Sequence, residues 1–266
     1  MSHLLLGPIV GHTDHASATI WIRVGDDPTD YQLRVRKGGI FPFHSTETDQ
    51  LEFGTALAVS ANLRPEWEYE YDVLRRGRRV PGSDGTFRTM PLPGSMAEVL
   101  FVSLSCSSGT DAGAWPLLSR YIKDAKPRFL ILMGDQVYLD SGDPIVGNVW
   151  GEHLDSDPVV RRQAMVAKYQ EHWSREPNRT ILANTPTYMM WDDHDIRNGW
   201  GSLAPDSPTL AAQYTRGAAI AAKYNAYFED ARDTYWHFQA CRNPSPPASL
   251  YFPVPGARSG IPFFFQ

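Results

Sequence analysis

Hydrophobic and polar positions divide the chain into two stretches with different periods. From Leu4 to about Met90 apolar and polar residues alternate, as in Ala18, Thr19, Ile20, Trp21, Ile22, Arg23, Val24 and again in Tyr31, Gln32, Leu33, Arg34, Val35, Arg36. A period of two predicts half-buried β-strands. Turn residues recur at short intervals, at Gly25-Asp26-Asp27-Pro28, Gly38-Gly39, Gly77, Pro81-Gly82 and Asp84-Gly85, the spacing of a small antiparallel sandwich. The run Met90-Pro91-Leu92-Pro93-Gly94-Ser95 continues neither helix nor central strand, because proline lacks the amide proton and both residue types break regular pairing. It sets a boundary between an all-β domain over residues 1–90 and a second region over residues 97–266.

Beyond that boundary short continuous apolar runs, Val99 to Leu104, Phe129 to Met133 and Tyr188 to Trp191, alternate with helical patterns. A sheet covered by helices reads this way, so the second region is expected to be α/β. Leu117, Leu118, Tyr121 and Ile122 share one helical face, and Pro127 closes that segment. Asp157-Pro158 reads as an N-cap followed by proline in the first turn, opening a helix with Val166, Tyr169 and Trp173 on its apolar face. Ser207-Pro208 repeats the signature ahead of Leu210, Tyr214, Ala218, Ala221, Tyr224 and Phe228. In the first region Leu63, Arg64 and Pro65, followed by Tyr69, Tyr71 and Val73, resemble the corner of fibronectin III and immunoglobulin-like sandwiches, where a strand tyrosine bonds back to the preceding loop.

Composition narrows the function classes. At 266 residues, 42% apolar and 21% charged, the chain has the make-up of a folded globular protein with a sizeable core. A net charge of -5, with Arg75, Arg76, Arg78 and Arg79 gathered around a hairpin glycine, argues against a nucleic-acid surface. No apolar stretch reaches the roughly 18 residues of a membrane helix, and no signal peptide is visible, so a cytoplasmic location is expected. Two cysteines are too few for a disulfide framework and fit a reducing compartment. Nothing in the pattern specifies an oligomeric state.

Chemistry-bearing residues follow each of the three apolar runs. Ser105-Cys106-Ser107 follows the first, Gly134-Asp135-Gln136-Val137-Tyr138 the second and Asp192-Asp193-His194-Asp195 the third. If the strands are parallel neighbours, these segments meet at the carboxyl edge of one sheet, where open α/β folds bind ligands. A thiol, carboxylates, a phenol and an imidazole gathered in an apolar setting need compensating cations. Two metal ions suit phosphoryl chemistry, one lowering the pKa of an attacking water and both neutralising charge on the phosphoryl oxygens. Competing chemistries lack their parts. A cysteine phosphatase needs an arginine where Ala112 stands, neither Ser105 nor Ser107 sits in a glycine-flanked elbow, and no Walker-type or dinucleotide loop is present.

The Ser105-Cys106-Ser107 segment, the Gly134 to Tyr138 box and above all Trp191-Asp192-Asp193-His194-Asp195-Ile196 resemble the PhoD-like (alkaline phosphatase D) branch of the calcineurin-type metallophosphoesterases. The resemblance covers nearly the whole chain and implies an α/β/β/α catalytic domain behind the β-sandwich. It implies metal-dependent hydrolysis of a small phosphate mono- or diester. Cys106, Asp135 and Tyr138 would bind ferric iron (Fe3+), and Asp135 would bridge to a second metal, calcium (Ca2+) in that family. Asp193 would be a further metal ligand and His194 the group acting on the phosphoryl or leaving-group oxygens. Asn198 stands where relatives carry Asn, as a metal or substrate ligand, and Trp200 would line the pocket. The family pattern runs on past Gln266, with further Asp and His ligands from a second sheet, and the aromatic stretch from Gly260 to Gln266 reads as a strand beginning. Residues 97–266 are therefore expected to be the first part of a catalytic domain, with weak or no activity alone. The alternative is a non-enzymatic binding module carrying a degenerate catalytic remnant.

Overall fold

A computed structural model of the chain describes residues 4–47, 52–107, 114–142, 146–200 and 218–244. Its first part is built from β1 (Leu4–Thr13), β2 (Ala18–Val24), β3 (Tyr31–Val35), β4 (Gly39–Pro42), β5 (His44–Ser45), β6 (Thr55–Ser60), β7 (Glu68–Arg75), β8 (Arg78–Arg79) and β9 (Gly85–Arg88). Two antiparallel sheets result, one in the order β1-β2-β6-β5 and the other β4-β3-β7-β8 with β9 also on β7. Val10, Ile20, Ile22, Leu33, Val35, Tyr71, Val73 and Phe87 are buried in the core they share. The Tyr69 hydroxyl accepts a hydrogen bond from the Arg64 amide at 2.8 Å, tying β7 back to the loop before it. At the β7–β8 hairpin Arg76 and Gly77 both take left-handed φ, 49° and 74°, as a tight hairpin turn with matching twist demands. The surrounding arginines face carboxylates: Arg75 pairs with Asp26, Arg76 with Asp30 and Arg79 with Asp84.

Alternation predicts a half-buried β2, but Ile20, Trp21 and Ile22 are all fully buried. Ile20 and Ile22 face the opposing sheet, while Trp21 faces the helices of the second part. There its ring packs edge-on to Trp173 at 6.3 Å and against Phe238 at 5.5 Å, and its Nε1 donates to the His237 carbonyl at 2.8 Å. Leu6, Ile9, Trp21 and Phe53 thus belong to one hydrophobic cluster with Trp173, Tyr169, Leu182 and Phe238. Burying an aromatic side chain of this kind stabilises by roughly 1.5–3 kcal/mol. A second tie runs from the Tyr71 hydroxyl to the Ala183 carbonyl at 2.7 Å.

An exposed stretch without helix or strand, residues 91–100, leads into the second part. Its strands β10 (Phe101–Leu104), β11 (Phe129–Met133) and β12 (Thr187–Met190) form a parallel sheet in that order, paired Phe101 to Phe129 and Leu130 to Thr187. Helices α1 (Ala114–Ala125), α2 (Val149–His153), α3 (Pro158–Ser174), α4 (Asn178–Asn184) and α5 (Ala218–Phe238) connect or follow them. The Asp157 carboxylate caps α3 by accepting from the Val159 amide at 2.9 Å, and Val166, Tyr169 and Trp173 are buried. In α1 Trp115 is buried in the core and Leu118 and Ile122 pack against it, whereas Leu117 and Tyr121, expected on the same face, are exposed. Residues four apart stack on one face, while each immediate neighbour is turned about 100° away. Ser207-Pro208 and the aromatic run from Gly260 to Gln266 lie outside the described residues. Among those described, no helix is long and apolar enough to cross a membrane.

Candidate functional site

Parallel pairing in the order β10-β11-β12 brings the three carboxyl ends side by side, and with them the three polar segments. The chain leaves its strands there in strained conformations. Cys106, Gly134 and Asp135 all take left-handed φ, 60°, 91° and 55°, and for the two non-glycine residues this costs roughly 1–2 kcal/mol each. Such conformations persist only where neighbouring bonds impose them, and they gather at functional sites. Here the bonds are Cys106 N to the Gly134 carbonyl at 3.2 Å and Ser107 N to the Asp135 carbonyl at 2.8 Å. Gly134 has no alternative, since a Cβ there would collide with the Asp192 side chain. Behind Cys106, the buried Ser107 hydroxyl lies 2.7 Å from His172 Nε2 and accepts from Trp115 Nε1 at 2.8 Å, which anchors the turn to α1 and α3.

Asp135 is the centre of the arrangement. Its Oδ2 receives the Cys106 thiol at 3.5 Å and the Tyr138 hydroxyl at 3.4 Å, while its Oδ1 accepts the His194 amide at 3.2 Å. Donor atoms of Asp135, Asp193 and His194 all lie within 4.8 Å of one another. Burial raises the Asp135 pKa, only partly offset by the His194 amide and imidazole. Burial, and after it the Asp135 charge, raises that of the Tyr138 phenol. Both groups are thus held away from their anionic forms by a setting that a cation would reverse. Two carboxylates and an imidazole, beside a thiol and a phenol, make a donor set that could hold a metal ion.

Two acidic residues that motif reading did not single out as site residues organise this cluster. Asp140 accepts from His194 Nδ1 at 2.7 Å and from the Asn198 amide at 2.6 Å. With Nδ1 so engaged, Nε2 is left for the site. Burial works against the imidazolium, but the bond and charge of Asp140, joined by Asp135 and Asp193, outweigh it and raise the His194 pKa. Asp195 turns inward and is buried. Its Oδ2 accepts the Asp135 and Asp192 amides at 2.8 and 3.0 Å, and its Oδ1 accepts Gln239 Nε2 at 2.8 Å. Burial pushes its pKa up to about 7. It therefore staples the turn after β11 to the turn after β12.

The remaining expected site residues lie just downstream. Asn198 is exposed and engages through its backbone amide, on Asp140. The Gly199 amide donates to Asp193 Oδ2 at 2.5 Å, fixing that carboxylate. Trp200 is half-buried, stacks on Phe228 at 5.3 Å and lies 6.4 Å from Trp150, forming an aromatic wall beside the cluster. No composition or spacing signal marks Asp140, because Asp140-Ser141-Gly142 reads as an ordinary turn. The Asp195 role was open to inference only as a third acid within four residues.

Known proteins share both halves of the chain. Residues 1–91 match a domain of unknown function (DUF7800). Alkaline phosphatase D of Bacillus subtilis (strain 168) is 22% identical over 249 residues, 84% of this chain and 40% of the relative. The solved structure described as that of PhoD superposes with a TM-score of 0.63 at 19% identity, covering 98% of this chain and 49% of that one. At that identity the likeness is one of fold. The chain spans less than half the length of each of these two relatives. Residues 101–251 match the PhoD-like phosphatase family, and with more than half of its length matched the chain belongs to that family.

Proposed function

We propose that the chain carries part of a metal-dependent phosphoester hydrolase, acting on small phosphate mono- or diesters. The observation that carries this reading is the placement of Asp135, with one carboxylate oxygen facing Cys106 and Tyr138 and the other on the Asp193–His194 turn. Cys106, Asp135 and Tyr138 would hold ferric iron, for which phenolate and carboxylate are matched hard donors. Asp135 and Asp193, with Asn198, would supply oxygen ligands to calcium. Bound there, the ions would supply Lewis-acid activation of water and neutralisation of phosphoryl charge. Asp140 orients His194 so that Nε2 can deliver a proton to the leaving-group oxygen. Asp195 keeps Asp135 and the Asp192 turn in register, and Trp200 shields one side from water. In domain terms, residues 1–90 form a β-sandwich supporting a catalytic region over residues 97–266.

Metal analysis of the purified chain, with hydrolysis of p-nitrophenyl phosphate and bis(p-nitrophenyl) phosphate, tests the reading. The expected result is iron bound by the wild type above a metal-free control, lost in Asp135→Asn and in Cys106→Ala, with any weak turnover lost in parallel. Iron content unchanged in both variants would remove the metal assignment.

A further inference from the structure

Arg197 lies in the turn that carries Asp193 and His194, yet pairs with no carboxylate among the described residues. Its amide donates to the Asp193 carbonyl at 2.5 Å and its carbonyl accepts from the Trp200 amide, so its backbone closes the turn, whatever its side chain. Its side chain runs into an aromatic frame, with the guanidinium 5.1 Å from the Trp150 ring centre and 5.9 Å from that of Tyr224. Trp150 is tied to the same place, since its amide donates to the Leu139 carbonyl, next to Asp140. Trp150 and Tyr224 pack on each other at 5.0 Å, so the two rings form one continuous frame.

Stacking uses the face of a guanidinium and leaves its N–H edge unspent. The Arg197 Nε is buried and has no hydrogen-bond partner, a condition that is costly unless an acceptor arrives. Asp140, Asp192 and Asp193 lie in the adjoining turns, yet none of them forms an ion pair with Arg197; Asp140 and Asp193 are spent on His194, Asn198 and Gly199. A cation that meets no carboxylate among the described residues, beside a cluster read as phosphoryl-processing, is poised for an anion brought by the ligand.

We propose that Arg197, framed by Trp150 and Tyr224, is a subsite for a second oxyanion on the substrate, beyond the phosphoryl group taken by the Asp135 cluster. The favoured substrates are phosphoesters whose leaving side carries another phosphoryl or carboxylate group. This rests on the phosphoester reading and specifies its substrate class.

Inorganic pyrophosphate and orthophosphate are the probes, titrated calorimetrically into the iron- and calcium-loaded chain. Pyrophosphate is expected to bind about tenfold tighter than orthophosphate, the gain from one charge-assisted bond. Arg197→Met should abolish that preference and leave orthophosphate affinity unchanged, which also shows that the variant is folded. Arg197→Lys should retain part of it. 3-Phosphoglycerate against glycerol 3-phosphate tests whether a carboxylate also serves as the second group, with the gain again expected to vanish in Arg197→Met. Equal pyrophosphate affinity in wild type and Arg197→Met, with orthophosphate still bound, overturns the subsite alone. Absence of any metal-dependent orthophosphate binding overturns the subsite together with the reading beneath it.

Discussion

Removing the inward-facing carboxylate of Asp195 separates hydrogen bonding from charge as the force that assembles the site. Asp195→Ala takes away the acceptor of two buried backbone amides, Asp135 N and Asp192 N, and of Gln239 Nε2. Water has no route to a residue 1% exposed, so the two amides are left orphaned at roughly 1–3 kcal/mol each, and on the order of 2–6 kcal/mol is lost. That is a large share of the roughly 5–15 kcal/mol that holds a domain folded. Asp195→Asn should behave differently. Its carbonyl oxygen can keep both amides, and its new NH2 needs an acceptor where Gln239 now presents a donor. Rotation of the Gln239 amide supplies one, because Gln239 Oε1 is without a partner in the native arrangement and the Tyr169 hydroxyl, 2.9 Å from Gln239 Nε2, can reverse its role and donate. The expected cost of Asp195→Asn is below about 1.5 kcal/mol. Urea denaturation followed by circular dichroism, with both variants and wild type at one pH, measures the two values. Equal losses in the two variants, or a loss under about 1 kcal/mol in Asp195→Ala, would refute the stapling role.

Other perturbations have definite signs. Asp140→Asn unpairs His194 Nδ1 while leaving Asp135, Cys106 and Tyr138 in place, so iron content should hold while kcat on p-nitrophenyl phosphate falls about 100-fold or more; metal loss in parallel would make Asp140 structural. His237 stacks on Phe53 at 4.4 Å, and burial lowers its pKa from 6.5 to about 4. The folded chain then binds fewer protons than the unfolded one between those values, so stability falls as pH drops from 6.5 towards 4 and is unaffected above. His237→Phe should gain on wild type by about 3 kcal/mol over that window, read as diverging urea midpoints; parallel midpoints would show that His237 titrates normally. A Cβ at Gly11 would lie 2.7 Å from Arg242 Cβ and from its carbonyl oxygen, so Gly11→Ala should cost about 1–3 kcal/mol, seen as a lower Tm; an unchanged Tm would mean the seam yields freely.

The three apolar runs and the polar residues after each were legible because a buried parallel strand must be continuously apolar and its functional groups can project only at its end. Adjacency of β10, β11 and β12 then placed Cys106, Asp135 and His194 together. Period-two alternation located β3 correctly but misjudged β2, whose second face packs on α3 and α5. That burial is a tertiary fact with no local signal beyond the size of Trp21. Asp140 and Asp195 were illegible for a related reason. An aspartate in a turn looks the same whether it faces water, a backbone amide or an imidazole, and only the fold decides which. Arg197 likewise reads as a surface cation until Trp150, on α2, and Tyr224, on α5, are seen to close around it.

The shared cluster around Trp21 bears on inheritance. Two segments matched by separate family models would recombine freely if each carried its own interior. Here the seam is filled from both sides, with the Arg242 guanidinium lying 4.8 Å from the Trp173 ring centre and 5.5 Å from that of Trp21, and Gly11 leaving it room. Exchanging the first segment for a distant cousin's would bring in a mismatched Trp21 or a side chain at Gly11, stranding a cation among exposed aromatic rings. A graft of the first segment would therefore have to bring Gly11 and Trp21 in matched form to the Arg242 and Trp173 it meets.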